Sequence, residues 1–277
     1  CHSGAGYIDW ANGEEEPRTD YQVITCAVCH DPHDVANPNQ LRVYDSVVLP
    51  DGTEVADAGP AATCMSCHNA RRSAVAIVDG VADGGSFSTP HYSTAGELMT
   101  GVGGYTWGET LPVSTHGRVV EKSCIGCHMA ATPGMDNMGT PDDNSDDAPL
   151  PGRHTVGEHS AVCQTCHDGA ESFAFEARRD YDGDGAIETN QDEIEGLREL
   201  IQVAVVEAGV GVLDHHPYFE IPEGSATDVY GAVWNLKFSE SGGTAVHNMR
   251  YTVSLLQLSY EKLMGEAVPG ATILPPK

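Results

Sequence analysis

Large apolar side chains are scarce in this sequence: Leu, Ile, Val and Phe together make up just under a fifth of 277 residues. Basic residues are scarcer still, with 14 Lys and Arg against 41 Asp and Glu, for a net charge of −27. That imbalance repels polyanions, which excludes nucleic acid and anionic membrane surfaces as partners. There is no apolar run long enough to cross a bilayer, so no transmembrane segment is expected. So little bulky apolar content with so much charge ordinarily marks disorder, because too little surface is buried to offset chain entropy. Long low-complexity runs, the companion sign of disorder, are also missing. Something other than side chains must fill the interior of a chain whose length suits one or two domains.

What is abundant is cysteine in a fixed pattern. Eight of nine cysteines form Cys-x-x-Cys pairs: Cys26 and Cys29, Cys64 and Cys67, Cys124 and Cys127, Cys163 and Cys166. Each pair is followed at once by a histidine, namely His30, His68, His128 and His167. Two thiols three positions apart on one helical turn can add to the two vinyl groups of a haem. The next residue then lies beneath the iron as its proximal ligand. Zinc sites give no reason for histidine at the same next position four times. A thioredoxin-like site needs one motif in a βαβ setting, and short Cys-x-x-Cys loops are poor staples for a chain this long. Haem c is the cofactor that the motifs imply, and its flat apolar body supplies the missing interior.

The sequence opens on Cys1-His2 without an initiator Met or a signal peptide, and we expect a processed or truncated chain. We expect this pair to be the end of a fifth attachment motif whose first cysteine lies upstream, giving at least four haems and five with this one. The alternative is a lipid-bearing N-terminal cysteine beside a chance histidine.

With His2 counted, five of thirteen histidines follow motif cysteines, leaving eight to supply the far faces of the irons. Histidine on both faces is expected over methionine, which would raise the potential. His33 lies one turn beyond His30 and cannot wrap around the haem that His30 holds, so it is expected to ligate a neighbouring haem. His91, in Thr-Pro-His-Tyr, His116 and His154, shortly before the third and fourth motifs, and His247, in Val-His-Asn, are the other distal candidates. His159, His215 and His216 rank behind them.

The stretches Ile24–His33, Cys64–Arg72, Pro90–Ser93, Cys127-His128-Met129 and Val246-His247-Asn248 resemble secreted multihaem cytochromes of metal-respiring prokaryotes. That group includes filament-forming cytochromes and is distantly similar to multihaem nitrite reductases. The resemblance covers most of the chain. It implies closely stacked haems, histidine on both faces of each iron, and a place outside the cytoplasmic membrane, at the cell surface or beyond rather than in the periplasm.

The expected fold is mostly irregular, with short helices around stacked haems, a small β-hairpin, and a C-terminal α-helical subdomain. Residues 1–168 form the multihaem region and 169–277 a calcium loop and helical region that returns His247 to the haems. The hairpin is predicted within 40–55, turning at Pro50-Asp51-Gly52. Residues 136–152 are acidic and read as a solvated loop or a disordered linker. Asp180-Tyr181-Asp182-Gly183-Asp184-Gly185-Ala186-Ile187-Glu188 matches the first nine positions of a calcium loop, with oxygens at the first, third and fifth positions, glycine at the sixth and a backbone carbonyl at Ala186. The twelfth position holds Gln191 instead of Glu, so Asp192 or Glu193 must close the site from the next helix. The alternative is an empty acidic turn. Amphipathic periodicity places Ile194, Leu197, Ile201 and Val205 on one face of a helix over 192–208, and further helices at 227–238 and 246–264.

Two function classes follow. In the first, the chain conducts electrons through six-coordinate haems. Its partners are other cytochromes or copies of itself, with a mineral or other extracellular acceptor beyond them, as a filament or as a soluble shuttle. In the second, it reduces nitrite or hydroxylamine at one open iron. Such catalytic haems use Cys-x-x-Cys-Lys, which does not occur here, and distal histidines are plentiful. The conduit is the expectation, with no catalytic residues assigned.

Overall fold

The computed structural model describes residues 3–14, 20, 22–120, 123–129, 135–136, 148–149, 154 and 160–275. In chain order they form α1 (Gly4–Ala11), α2 (Cys26–Cys29), β1 (Asp45–Val48), β2 (Glu54–Gly59), α3 (Ala61–Met65), α4 (Ala74–Gly80), α5 (Ala95–Thr100), α6 (His116–Val119) and α7 (Cys124–His128). Then come β3 (Met135–Asp136), β4 (Ala148–Pro149), a 3-10 turn at Ser160–Thr165, α8 (Asn190–Glu207), β5 (Gly211–Val212), β6 (Phe219–Glu220), α9 (Thr227–Phe238) and α10 (Thr244–Met264). Helices are short wherever the motifs lie and long only after residue 189. The strands form three separate antiparallel pairs, β1–β2, β3–β4 and β5–β6.

The expected hairpin is present. Val47 faces Val55 across it, and the turn closes through Leu49 N to Thr53 O at 2.9 Å. Gly52 takes φ +89°, a left-handed conformation that glycine adopts without penalty. The buried face of the hairpin, Val47 and Leu49, packs on Ala61, Ala62 and Met65 of α3. This is the smallest of three cores, and it sits directly beneath the second Cys-x-x-Cys motif.

Two larger cores belong to the C-terminal helices. The 3.6-residue spacing read from the sequence holds, since Ile194, Leu197, Ile201 and Val205 of α8 are fully buried against Val233, Leu236, Val253 and Leu256 of α9 and α10. The next core joins Trp234, Phe238, Tyr251 and Leu255 to Val78, Leu98, Tyr105 and Leu111. It therefore crosses the division expected at residue 168: the segment 74–113 is anchored on the tail.

Buried polar groups make that anchorage specific. Asn235 accepts from Tyr105 N at 2.7 Å and donates to Tyr105 O at 2.8 Å, as a paired strand would. Trp234 Nε1 donates to Gly103 O, and Gly104 N donates to Tyr251 Oη, both at 3.0 Å. Gly104 must stay bare, because a Cβ there would lie 2.5 Å from Leu255. Each buried pair of this kind is satisfied within a dry core, where losing one partner costs about 1–3 kcal/mol.

Candidate haem site

Each motif folds as a single turn. The histidine amide bonds back to the carbonyl of the first cysteine in three of them: His30 N to Cys26 O at 2.9 Å, His68 N to Cys64 O at 2.8 Å, and His167 N to Cys163 O at 2.7 Å. In the remaining motif, Cys124–His128 is the helix α7 itself. The turn thus puts two thiols and the following imidazole on one short segment, as haem attachment requires.

The turns lie in chain order. Burial first, with Cys29 adding to it, pushes Cys67 up, and Cys29 adds a smaller share to the rise that Cys124 and burial cause at Cys64. Cys64 and Cys124 share a hydrogen bond, which keeps the proton on Cys64 and lowers Cys124 to about 7. Burial first, then the charges of Cys163, Cys124 and Cys166, push Cys127 up. The second motif packs against the third, the first lies near the second, and the third lies near the fourth. Among the described residues no two cysteines are joined in a disulfide, so both sulfurs of each motif are left for haem attachment.

Three pairs of imidazoles come together around these turns. The ring centres of His30 and His154 lie 5.9 Å apart, those of His128 and His247 6.1 Å, and those of His116 and His167 6.1 Å. Each pair joins one motif histidine to one distal candidate. Metal–imidazole bonds run about 2 Å, and a ring centre lies about 1 Å beyond its ligating nitrogen. Two rings on opposite faces of one iron therefore stand about 6 Å apart.

The other ring nitrogens are held as ligand histidines are usually held. His30 donates Nδ1–H to Asn39 O at 2.6 Å, and His116 donates Nδ1–H to Val246 O at 2.6 Å, which makes Nε2 the nitrogen of each that can face a metal. His68 Nδ1 lies 2.8 Å from Ser93 Oγ. The strap that holds His30 is itself tied to the first motif. Arg42 N donates to Cys29 O at 2.9 Å, Arg42 Nε to Ala27 O at 2.8 Å, and an Arg42 guanidinium nitrogen to Asp31 at 3.0 Å.

His247 differs: its Nδ1 is buried without a hydrogen-bond partner. Burial, and then the nearby His128, His116 and His68, hold its pKa down to about 4. It is neutral at ordinary pH, the form that binds metal. Exposed apolar side chains add to the fit. Val23 and Ile24, directly before Cys26, and Val119, after His116, stand open to solvent where a flat apolar group would cover them.

The remaining candidates are placed as follows. His33 is exposed, and its amide donates to Asp31 Oδ1 at 3.0 Å. His91 stacks on Tyr92 at 4.5 Å, and its amide donates to Ala70 O just past the second motif. His215 and His216 are exposed, with His215 Nδ1 2.7 Å from Asp214. Cys1, His2, His159 and most of 136–152 lie outside the described residues. Sequence reasoning missed the groups that fix the rings, Asn39, Ser93 and the Val246 carbonyl, because no local pattern marks them.

In the Asp180 loop, oxygens of Asp180, Asp182 and Glu193 lie within 4.8 Å of one another, as do those of Asp182, Asp184 and Glu188. Glu188 is the ninth position of the loop match read from the sequence, which gave it no ligand role. The Glu193 carboxylate is fully buried and accepts from Tyr181 N at 2.6 Å, Asp182 N at 3.3 Å and Glu188 N at 3.2 Å. Burial, then Asp184, Glu193 and Asp180, push Asp182 up to about 6. Gly196 of α8 lets Asp182 approach, since a Cβ there would meet its carboxylate at 1.8 Å.

Residues 19–73, which hold the first two motifs, match a family described as the doubled CXXCH motif. No curated protein and no solved structure matches the chain. The match and the motif geometry define a protein that binds haem c covalently through Cys-x-x-Cys-His. More particularly, doubled motifs point to a multihaem c-type cytochrome that transfers electrons. Among the described residues no helix is long and apolar enough to cross a membrane.

Proposed function

We propose that electrons run along the motifs in chain order, through irons held by histidine on both faces. The carrying observation is the set of three motif–distal imidazole pairs at about 6 Å. On this reading His30 and His154 hold the haem attached at Cys26 and Cys29. His128 and His247 hold the haem at Cys124 and Cys127, and His167 and His116 hold the haem at Cys163 and Cys166. His68 holds one face of the haem at Cys64 and Cys67, with His33 and His91 as candidates for its other face. Cys1 and His2 would add a fifth haem. Bound haem supplies one-electron redox chemistry; the chain supplies axial ligands, ring orientation through Asn39, Ser93 and Val246, and an apolar cover.

The finer reading is extracellular electron transfer, with copies of the chain joining into a filament. The histidines left exposed, His215 and His216, support it as spare ligands for a neighbouring subunit. A Ca²⁺ ion in the Asp180 loop is part of the same proposal, supported by the two oxygen clusters that share Asp182.

Pyridine haemochrome analysis with intact mass tests the core of this reading. At least four covalent haems are expected, low-spin in the ferric state and slow to bind carbon monoxide when reduced. Three haems or fewer, or a large high-spin fraction with nitrite turnover, would overturn it.

A further inference from the structure

Asn248 follows His247 directly and breaks the helix in which both lie. Its backbone takes φ −160° and ψ 70° inside α10, so the first turn, Thr244 to His247, is separate from the long helix beyond. Its side chain is 1 % exposed, and every hydrogen-bonding atom of its amide that the surroundings reach is used. Oδ1 accepts from Tyr251 N, three residues on, at 3.3 Å. That is the bond an Asn N-cap makes, so Asn248 caps the second segment. The same Oδ1 accepts from Ser114 N at 2.7 Å, two residues before His116. Nδ2 donates to Leu98 O at 2.9 Å, at the core of α5. The two segments are laced again beside it, since Arg250 N donates to Ser114 Oγ at 3.2 Å and His116 donates to Val246 O at 2.6 Å.

We infer that Asn248 is a positioning residue that sets the distal ligands of two successive haems at once. It sets His247 through the shared backbone and His116 through the Ser114 amide. The inference rests on the ligand pairing proposed above, in which His247 serves the third motif and His116 the fourth. One buried amide then fixes the mutual placement of two axial imidazoles that come from segments 130 residues apart. An apolar residue would leave the Ser114 amide and the Leu98 carbonyl without these partners, and both histidines would lose their common anchor.

The test is electron paramagnetic resonance of the oxidised holoprotein, with redox titration of each resolved haem. His116→Ala and His247→Ala each identify one haem, by its loss of the low-spin signal. Asn248→Ala is expected to shift or convert those same two signals and to leave the signal of the haem paired with His30 in place. Thr252→Val removes the Thr252 bond to Asn248 O within the helix and is expected to change no signal. Should the alanine variant fail to fold, Asn248→Ser keeps a capping oxygen for Tyr251 but is too short to reach Ser114, and it must show the same two-haem change. A change at neither haem, or at one alone, overturns the inference. If His116→Ala and His247→Ala leave all signals low-spin, the ligand pairing itself has failed and this inference goes with it.

Discussion

Glu97 provides a test of the fold that is independent of any haem signal. Its side chain is 1 % exposed in α5, with Oε1 accepting from Ala70 N at 2.7 Å and Oε2 buried without a partner. Burial chiefly, with Asp51 adding to it and the Ala70 bond opposing it, raises its pKa from 4.5 to about 7. The folded chain therefore holds this proton more tightly than the unfolded one. Its contribution is fully present below pH 4.5 and is lost as pH rises through about 7. At about 1.4 kcal/mol per pKa unit, that rise amounts to about 3 kcal/mol of stability lost by pH 8. Glu97→Gln keeps the acceptor for Ala70 and removes the ionisation. Thermal unfolding followed by circular dichroism should find the variant and the parent alike at pH 5. At pH 8 the variant should melt higher by roughly 6 °C, taking about 2 °C per kcal/mol for a chain of this size. Parallel melting curves across that range would refute the assignment of a buried, half-satisfied carboxyl. Tyr251 faces the same site, and its own pKa is raised by burial first and then by Asp51 and Glu97, so it remains a neutral phenol throughout.

Two further outcomes are expected. Chelating Ca²⁺, or Asp182→Ala, should raise protease sensitivity around 176–208 without removing a haem; and because Asp182 is pushed up from 3.8 to about 6 by burial and then by neighbouring carboxylates, the chelated protein should lose stability as pH rises across that interval while the loaded protein does not. Unchanged proteolysis and melting would remove calcium from a structural role. His33→Ala should turn one haem high-spin while the haem attached through Cys26 and Cys29 stays low-spin; retention of every low-spin signal would make His33 an ordinary surface residue.

What the sequence disclosed was whatever repeats or alternates locally. The Cys-x-x-Cys-His turns need only one helical turn each, and Ile194, Leu197, Ile201 and Val205 mark the buried stripe of α8 by spacing alone. The hairpin follows from Pro50-Asp51-Gly52 between β-branched residues. The pairing of imidazoles was not legible in the same way. His30 meets His154, and His128 meets His247, across more than a hundred residues, so no window contains both rings. The core of residues 74–113 was missed for a related reason. Its apolar side chains, such as Val78, Leu98 and Leu111, are scattered and make sense only against Trp234 and Tyr251. Asn248 hid inside a helical pattern, because a cap in mid-helix breaks the periodicity by a single residue.

The position of the large cores explains how a chain so poor in bulky apolar residues can still place imidazoles accurately. Its well-packed part is concentrated in α8, α9 and α10, where Trp234, Leu255 and Leu256 are completely buried. A ligand carried on such an element inherits its rigidity, since a close-packed interior resists small displacements. His247 lies on the first turn of α10, and His116 is tied to the carbonyl before it, so both draw their placement from that packed region. His30 is placed differently, by the short strap of Asn39 to Arg42 that folds back on its own motif. The packed helices thus place His247 and His116, while the motif histidine His30 is held by backbone hydrogen bonds close to its own turn. The haem region can then remain loop-rich, because the cofactors that the motifs bind supply the apolar surface its own side chains lack.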